Sequence, residues 1–289
     1  MKTLKVYFIF SIIVSLFVSC DLFFPYSLED APPLDTTNID PPATDTTHTM
    51  PAELYFFSIK YATYIRFSPG NLQYNANLDV WRFAPNQYDY IGDENRKISS
   101  SYDGWIDLFG WGTGDSPTKK SSSSSDYQNF TDWGNNKIGN DAGNTWRTLT
   151  SAEWEYLIDD RANASSLKGL GSINGVRGTI LLPDNWERPS GVTFNSGFGD
   201  GFYQNEYSIE KWKLMESAGA VFLPAAGYRN GTSYYSGTGR YWSKSYDSSP
   251  YTGNQYHYFS FSQGGSSVIY YDEANAYKGY SVRLVNEIY

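Results

Sequence analysis

The chain has 289 residues, 40% hydrophobic and 18% aromatic, with 9 Trp and 26 Tyr, enough for one large domain or two small ones built on ring packing. A formal net charge of −9 repels phosphate backbones and argues against nucleic-acid binding. With one cysteine, Cys20, and two histidines, no disulfide, zinc knuckle or cysteine nucleophile is available after residue 20, and His257 is the one imidazole beyond the linker.

In chain order, residues 1–20 read as an export segment. Lys2 and Lys5 precede an apolar run from Val6 to Val18, which is short for a membrane span. Phe17-Val18-Ser19-Cys20 resembles the lipobox of bacterial lipoproteins, with Phe where Leu is commoner. That resemblance implies a lipid on Cys20 and anchoring to a membrane face, the outer membrane and cell surface being expected. Residues 21–50 are rich in Pro, Thr and Asp and have little to bury, so a disordered tether is expected. Asp35-Thr36-Thr37 and Asp45-Thr46-Thr47 resemble the O-glycosylation acceptor pattern of Bacteroidetes exported proteins. The folded domain is expected over residues 51–289.

Aromatic and β-branched runs predict strands at Glu53–Ile59, Tyr61–Phe67 and Trp81–Phe83. Tyr88–Ser125 reads as loop, with Trp105 and Trp111 as core residues beneath it. Thr150-x-x-Glu153 is a capping box, and Trp154, Leu157 and Ile158 form an apolar stripe, so a helix is predicted over Ser151–Arg161. A strand follows at Val176–Leu182. A second helix is predicted over Ile209–Ala218, capped by Ser208 and stopped by Gly219, with Ile209, Trp212 and Met215 inward. Further strands are predicted at Ala220–Leu223 and near Arg240–Ser243, Tyr256–Ser262, Ser266–Tyr270 and Tyr280–Val285. Helices early, strands late and much irregular chain make an α+β pattern.

Several strings together are similar to the Fibrobacter succinogenes major paralogous domain of surface lipoproteins. They include Phe67–Tyr74 (FSPGNLQY), Gly104–Thr113 (GWIDLFGWGT), Trp146–Thr150 with Glu153-Trp154, Ile180–Trp186 (ILLPDNW), Tyr241-Trp242-Ser243 and Gly279–Val285 (GYSVRLV). The resemblance spans nearly all of residues 51–285. It implies the formylglycine-generating-enzyme branch of the C-type-lectin-like fold: a twisted antiparallel sheet, two helices and long loops displayed from the C-terminal half. The enzyme branch depends on active-site cysteines, which no residue after Cys20 supplies. The EPN, QPD and WND motifs of calcium-dependent sugar binding are missing too, so neither catalysis nor a metal carries over. Trp242–Val285 is also similar to the variable region of proteins targeted by diversity-generating retroelements, which implies diversified binding positions at Tyr246, Asp247, His257, Tyr270, Tyr271 and Asn275.

Half of the tyrosines lie between Tyr228 and Tyr289, among Gly, Ser and Asn. Rigid rings with polar tips on adaptable loops are the composition of a binding surface. The expected contacts are Tyr234, Tyr235, Trp242, Tyr246, Asp247, Tyr251, Asn254, His257, Tyr270, Tyr271, Asp272, Asn275 and Tyr277. Within this set, Trp242 and the Tyr256–Phe261 run read mainly as framework. An extracellular protein is slightly favoured over a glycan as ligand, with no cofactor. A structural subunit of a surface assembly is the competing reading, and a carbohydrate-active enzyme ranks below it. No paired carboxylates stand out, and His257 lacks a nucleophile turn.

Overall fold

In the computed structural model, the residues described are 55–249, 253–263, 265–268, 272–273 and 275–288. All belong to one unit, Pro51–Tyr289. Cys20, the tether, Tyr251, Tyr270 and Tyr271 lie outside the described residues.

Among the described residues the order is β1 (Phe57–Lys60), β2 (Thr63–Phe67), β3 (Leu72–Asn75), β4 (Val80–Phe83), β5 (Trp105–Ile106), α1 (Ser151–Glu155), β6 (Lys168–Ile173), β7 (Val176–Leu181), β8 (Glu206–Tyr207), α2 (Ile209–Ser217), β9 (Val221–Pro224), β10 (Tyr228–Asn230), β11 (Ser233–Tyr235), β12 (Gly239–Ser249), β13 (Gly253–Ser262), β14 (Gly265–Val268), β15 (Asp272–Glu273) and β16 (Val285–Ile288). Small open sheets and two short α-helices make the domain α+β. The sheets run β1-β2-β16, β4-β3-β5, β8-β6-β7-β9, β10-β11 and β12-β13-β14, with β15 also on β13. Pairing is antiparallel except between β6 and β8. No helix among the described residues is long and apolar enough to cross a membrane.

Alternation explains β2: Ile65 and Phe67 point inward and Arg66 outward. β16 then pairs with β2, Val285 opposite Phe67, tying the end of the domain to its start. The predicted capping box forms, with Glu153 N donating to Thr150 Oγ1 at 3.1 Å and Thr150 N to Glu153 Oε2 at 2.7 Å. The predicted helix, however, is α-helical only to Glu155 and continues as a π-turn over Tyr156–Asp160. The wider turn carries Arg161 inside, where Nη1 meets Asp184 Oδ1 at 2.7 Å. α2 follows its prediction. Ser208 caps it, Trp212 and Met215 are buried, and Gly219 ends it at φ +84°.

Rings fill the interior. Beside α1, Trp154 stacks on Phe259 at 5.0 Å. Under α2, Trp212 meets Phe222 edge-on at 5.6 Å. A third cluster joins Trp111, Trp133, Trp242 and Tyr280 beneath the long loops between β4 and α1. Arg283 is buried without a carboxylate in contact. Its Nη2 donates to Gln87 Oε1 at 2.8 Å, and Gln87 in turn donates to Glu216. Burial lowers the Arg283 pKa to about 10.

Candidate functional site

Among the described residues the β12–β13 hairpin carries one exposed ring, Tyr246, and a bulge sets its register. Trp242 faces Tyr258 and Tyr246 faces Tyr256, so Ser243, Lys244 and Ser245 bulge out opposite His257. The bulge is pinned to the start of α1. Lys244 N donates to Leu149 O at 2.9 Å, and Ser151 N donates to Ser245 Oγ at 3.0 Å. Beyond it, Tyr246 sets its ring edge-on to Trp111 at 5.2 Å and parallel to Tyr256 at 6.1 Å. Trp111 is fully buried, and its indole N–H donates to Ser243 O at 3.1 Å. Tyr246 is 46% exposed on this support. An exposed ring held by buried rings loses little rotamer freedom when a ligand lands on it.

Beside Trp111 lies a polar cavity of about 230 Å³ between the 112–119 and 125–131 loops. Its lining includes Thr113, Asp115, Ser116, Lys119 and Asn129. Gly110 and Gly112 make the close packing around Trp111 possible. A Cβ at Gly110 would sit 2.4 Å from the Tyr127 ring, and one at Gly112 2.7 Å from the Phe130 Cα.

On the opposite face of the hairpin, Asp247 and His257 approach to 3.2 Å, Oδ2 to Nε2. Asp247 is exposed and His257 buried. A second ring pair sits on the β10–β11 hairpin. Tyr235 stacks on Tyr228 at 4.8 Å and 12°, and the Arg240 guanidinium lies over Tyr228 at 4.1 Å. Arg240 Nη1 also donates to the Tyr280 hydroxyl at 2.9 Å.

The candidate residues therefore separate. Tyr235, Tyr246 and Asp247 are exposed. Asn254, Asn275 and Tyr277 are half-buried, with Asn254 Nδ2 3.4 Å from the Tyr256 hydroxyl and Tyr277 against the Trp111 cluster. Trp242 is 2% exposed, and its indole donates to Phe109 O at 2.7 Å, so it is framework and leaves the contact set. Tyr234 is half-buried with its hydroxyl donating to Ala226 O at 2.9 Å, a packing role in place of the display expected of it. His257 is 7% exposed, with Nε2 3.2 Å from Asp247 Oδ2. Asp272 is placed as backbone opposite Tyr256. Tyr251, Tyr270 and Tyr271 lie outside the described residues.

Composition alone did not pair the exposed rings with their supports: Trp111 from the loops before α1, and Tyr256 and Tyr228 within the tyrosine-rich quarter. Trp105, expected as core, is half-buried and serves as a platform for Arg82, whose guanidinium lies 3.6 Å above its ring. Among the described residues no group of three or more His, Cys, Asp or Glu side chains is arranged to hold a metal ion. No family model, curated protein or solved structure matches the chain.

Proposed function

We propose that this is an exported lipoprotein, anchored through Cys20, whose C-type-lectin-like domain binds an extracellular protein without catalysis. The observation that carries the reading is the exposed Tyr246 ring seated on buried Trp111 and Tyr256. Tyr235 on Tyr228 repeats the arrangement. Rigid aromatic anchors of this kind dominate protein interfaces. Pairing of the first and last parts of the domain through β2 and β16, two helices beside antiparallel sheets, and long loops before α1 support the lectin-like reading. A glycan is the alternative ligand, favoured by the polar cavity beside Trp111.

Pull-down from extracellular host and bacterial proteins, run beside a glycan array with the full-length chain, tests the proposal. A Tyr246→Ala/Tyr235→Ala chain serves as control. Retention of all binding by that double variant means the surface is wrongly assigned. Sedimentation of the unmodified chain tests the structural-subunit reading, which requires self-association at low concentration.

A further inference from the structure

A second groove lies beside the β4-β3-β5 sheet, on the face that carries Arg82 and Gln73. In an antiparallel sheet, residues directly opposite share a face, as do residues two apart on one strand. Arg82 is opposite Gln73, and Trp105 is opposite Asn75. Arg82, Gln73 and Trp105 therefore share one face, while Tyr74, Trp81 and Ile106 fill the core beneath. Gln73 Oε1 accepts from Arg82 Nε at 2.9 Å, and the guanidinium plane rests 3.6 Å above the Trp105 ring. These two contacts fix the fork in place. Among the described residues its Nη1 and Nη2 make no hydrogen bond or close ion pair, with the Asp89 carboxylate near enough to favour its charge.

The fork opens into a groove of about 410 Å³ lined by Gln73, Arg82, Tyr88, Asp89, Tyr90 and Asn174. Tyr90 is 40% exposed, and Tyr88 is half-buried. Asp89 Oδ2 accepts from Asn86, so its second oxygen remains as an acceptor for a ligand hydroxyl. Each part has a chemical consequence. A planar fork with both terminal nitrogens open matches a carboxylate in bidentate fashion. Exposed Tyr90, with half-buried Tyr88 beside it, offers aromatic surface to a pyranose. Asp89, Gln73 and Asn174 offer directional bonds to hydroxyls. The carboxylate of Asp89 on the same groove, in a chain of net charge −9, disfavours doubly charged phosphate or a polyanion. A ligand with one negative charge and several hydroxyls satisfies all of these features.

We infer that this groove is a subsite for a hexuronic acid residue of a glycan, its carboxylate held by Arg82 and its ring against Tyr88 and Tyr90. The inference does not rest on the Tyr246 surface proposed above, and its failure would leave that surface untouched.

The test is a titration of the ¹⁵N-labelled full-length chain with methyl β-D-glucuronide, followed at the Arg82 Nε–H and Trp105 indole N–H signals. Saturable shifts at both are expected. Arg82→Gln is expected to weaken binding by about tenfold or more, since charge-assisted bonds to the carboxylate are lost. Tyr90→Ala, at an exposed ring, is expected to weaken it several-fold with the melting temperature unchanged, which separates loss of the site from loss of the fold. No shift at Arg82 and Trp105, or equal binding by Arg82→Gln, overturns the inference. Equal binding of methyl β-D-glucoside removes the carboxylate from it. Equal or tighter binding of N-acetylglutamate makes the site a peptide-carboxylate site and overturns the sugar assignment.

Discussion

Arg229 offers a sharp test of the energetics of this fold. It is fully buried on β10, and among the described residues its side chain makes one hydrogen bond, from Nη1 to Gly231 O at 3.1 Å. Nε and Nη2 have no partner, and no carboxylate pairs with the guanidinium among the described residues. Burial pulls its pKa below the ordinary guanidinium value, with Tyr127 opposing. Arg229→Met keeps most of the volume and removes the charge. Replacing buried ionic groups with apolar side chains has stabilised proteins by about 1–4 kcal/mol. The lost bond to Gly231 O takes back about 1 kcal/mol. The expected net change is a gain of about 0–3 kcal/mol, a rise of roughly 2–4 °C per kcal/mol in melting temperature for a domain of this size. Arg161→Met should do the opposite. It breaks a pair with Asp184, for which losses of about 3–5 kcal/mol are typical. Asp184 keeps the Ser58 N–H at 2.9 Å and is partly exposed, so about 2–3 kcal/mol is expected here. Urea unfolding of the two variants beside the unmodified chain measures both. A loss of more than about 1 kcal/mol for Arg229→Met would refute the reasoning, because the guanidinium would then be held by a partner that the fold's own residues do not supply.

Trp111→Ala should cost about 3–5 kcal/mol, since it empties the fully buried support of Tyr246. Tyr246→Ala, at the exposed end of the same stack, should change stability by less than about 1 kcal/mol and act on binding, which thermal denaturation and ligand titration separate. Asp107 is buried without a cation and accepts from Ile91 N and Asn95 Nδ2, and burial raises its pKa to about 6. The folded value lies above the unfolded one, so its stabilising contribution is full below about pH 4 and lost as pH rises through about 6. A ¹³C titration of its carboxyl should show a midpoint near that value, and a midpoint below pH 4 would contradict it. Gly219→Ala should destabilise through both its φ of +84° and a Cβ placed 2.3 Å from the Tyr55 ring, and the melting temperature reports it.

The elements legible in the sequence are those whose information is local. The Thr150–Glu153 box, the Ser208 cap and the Gly219 stop act within a few residues of themselves, and they set the two helices. β6 was missed because it reads Lys-Gly-Leu-Gly-Ser-Ile, poor in strand formers. Its glycines are dictated by distant chain: a Cβ at Gly169 would meet Asn195 O at 2.8 Å, and one at Gly171 would meet Asn205 O at 2.5 Å. β3 was hidden for a related reason. Gln73 and Asn75 are polar yet buried, and their partners, Arg82 and the Asp103 carbonyl, come from later segments. The Arg283 of the GYSVRLV string is interior, and its partner, Gln87, comes from a segment almost two hundred residues earlier.

The same distinction decides the tyrosine-rich quarter. Composition assigns every ring there an equal claim to the surface, but register does not. Tyr256 and Tyr258 are two apart on β13 and both turn inward, toward Trp111 and Tyr280. On the facing strand a regular ladder from the Trp242–Tyr258 pair would set Tyr246 opposite Asn254. Trp242 and Tyr246 are four apart and share the face of Tyr256 and Tyr258; the Ser243–Ser245 bulge shifts the register by two residues, setting Tyr246 opposite Tyr256, and its bonds to Leu149 and Ser151 fix where the shift occurs. Tyr246 therefore lies over Trp111 and outward, while Trp242, four residues earlier, is sealed beneath Tyr258 and Tyr280. A run of Ser-Lys-Ser carries no strong signal of its own. Its effect depends on the neighbouring α1 terminus, so the placing of the binding ring is a tertiary property that the local sequence could not announce.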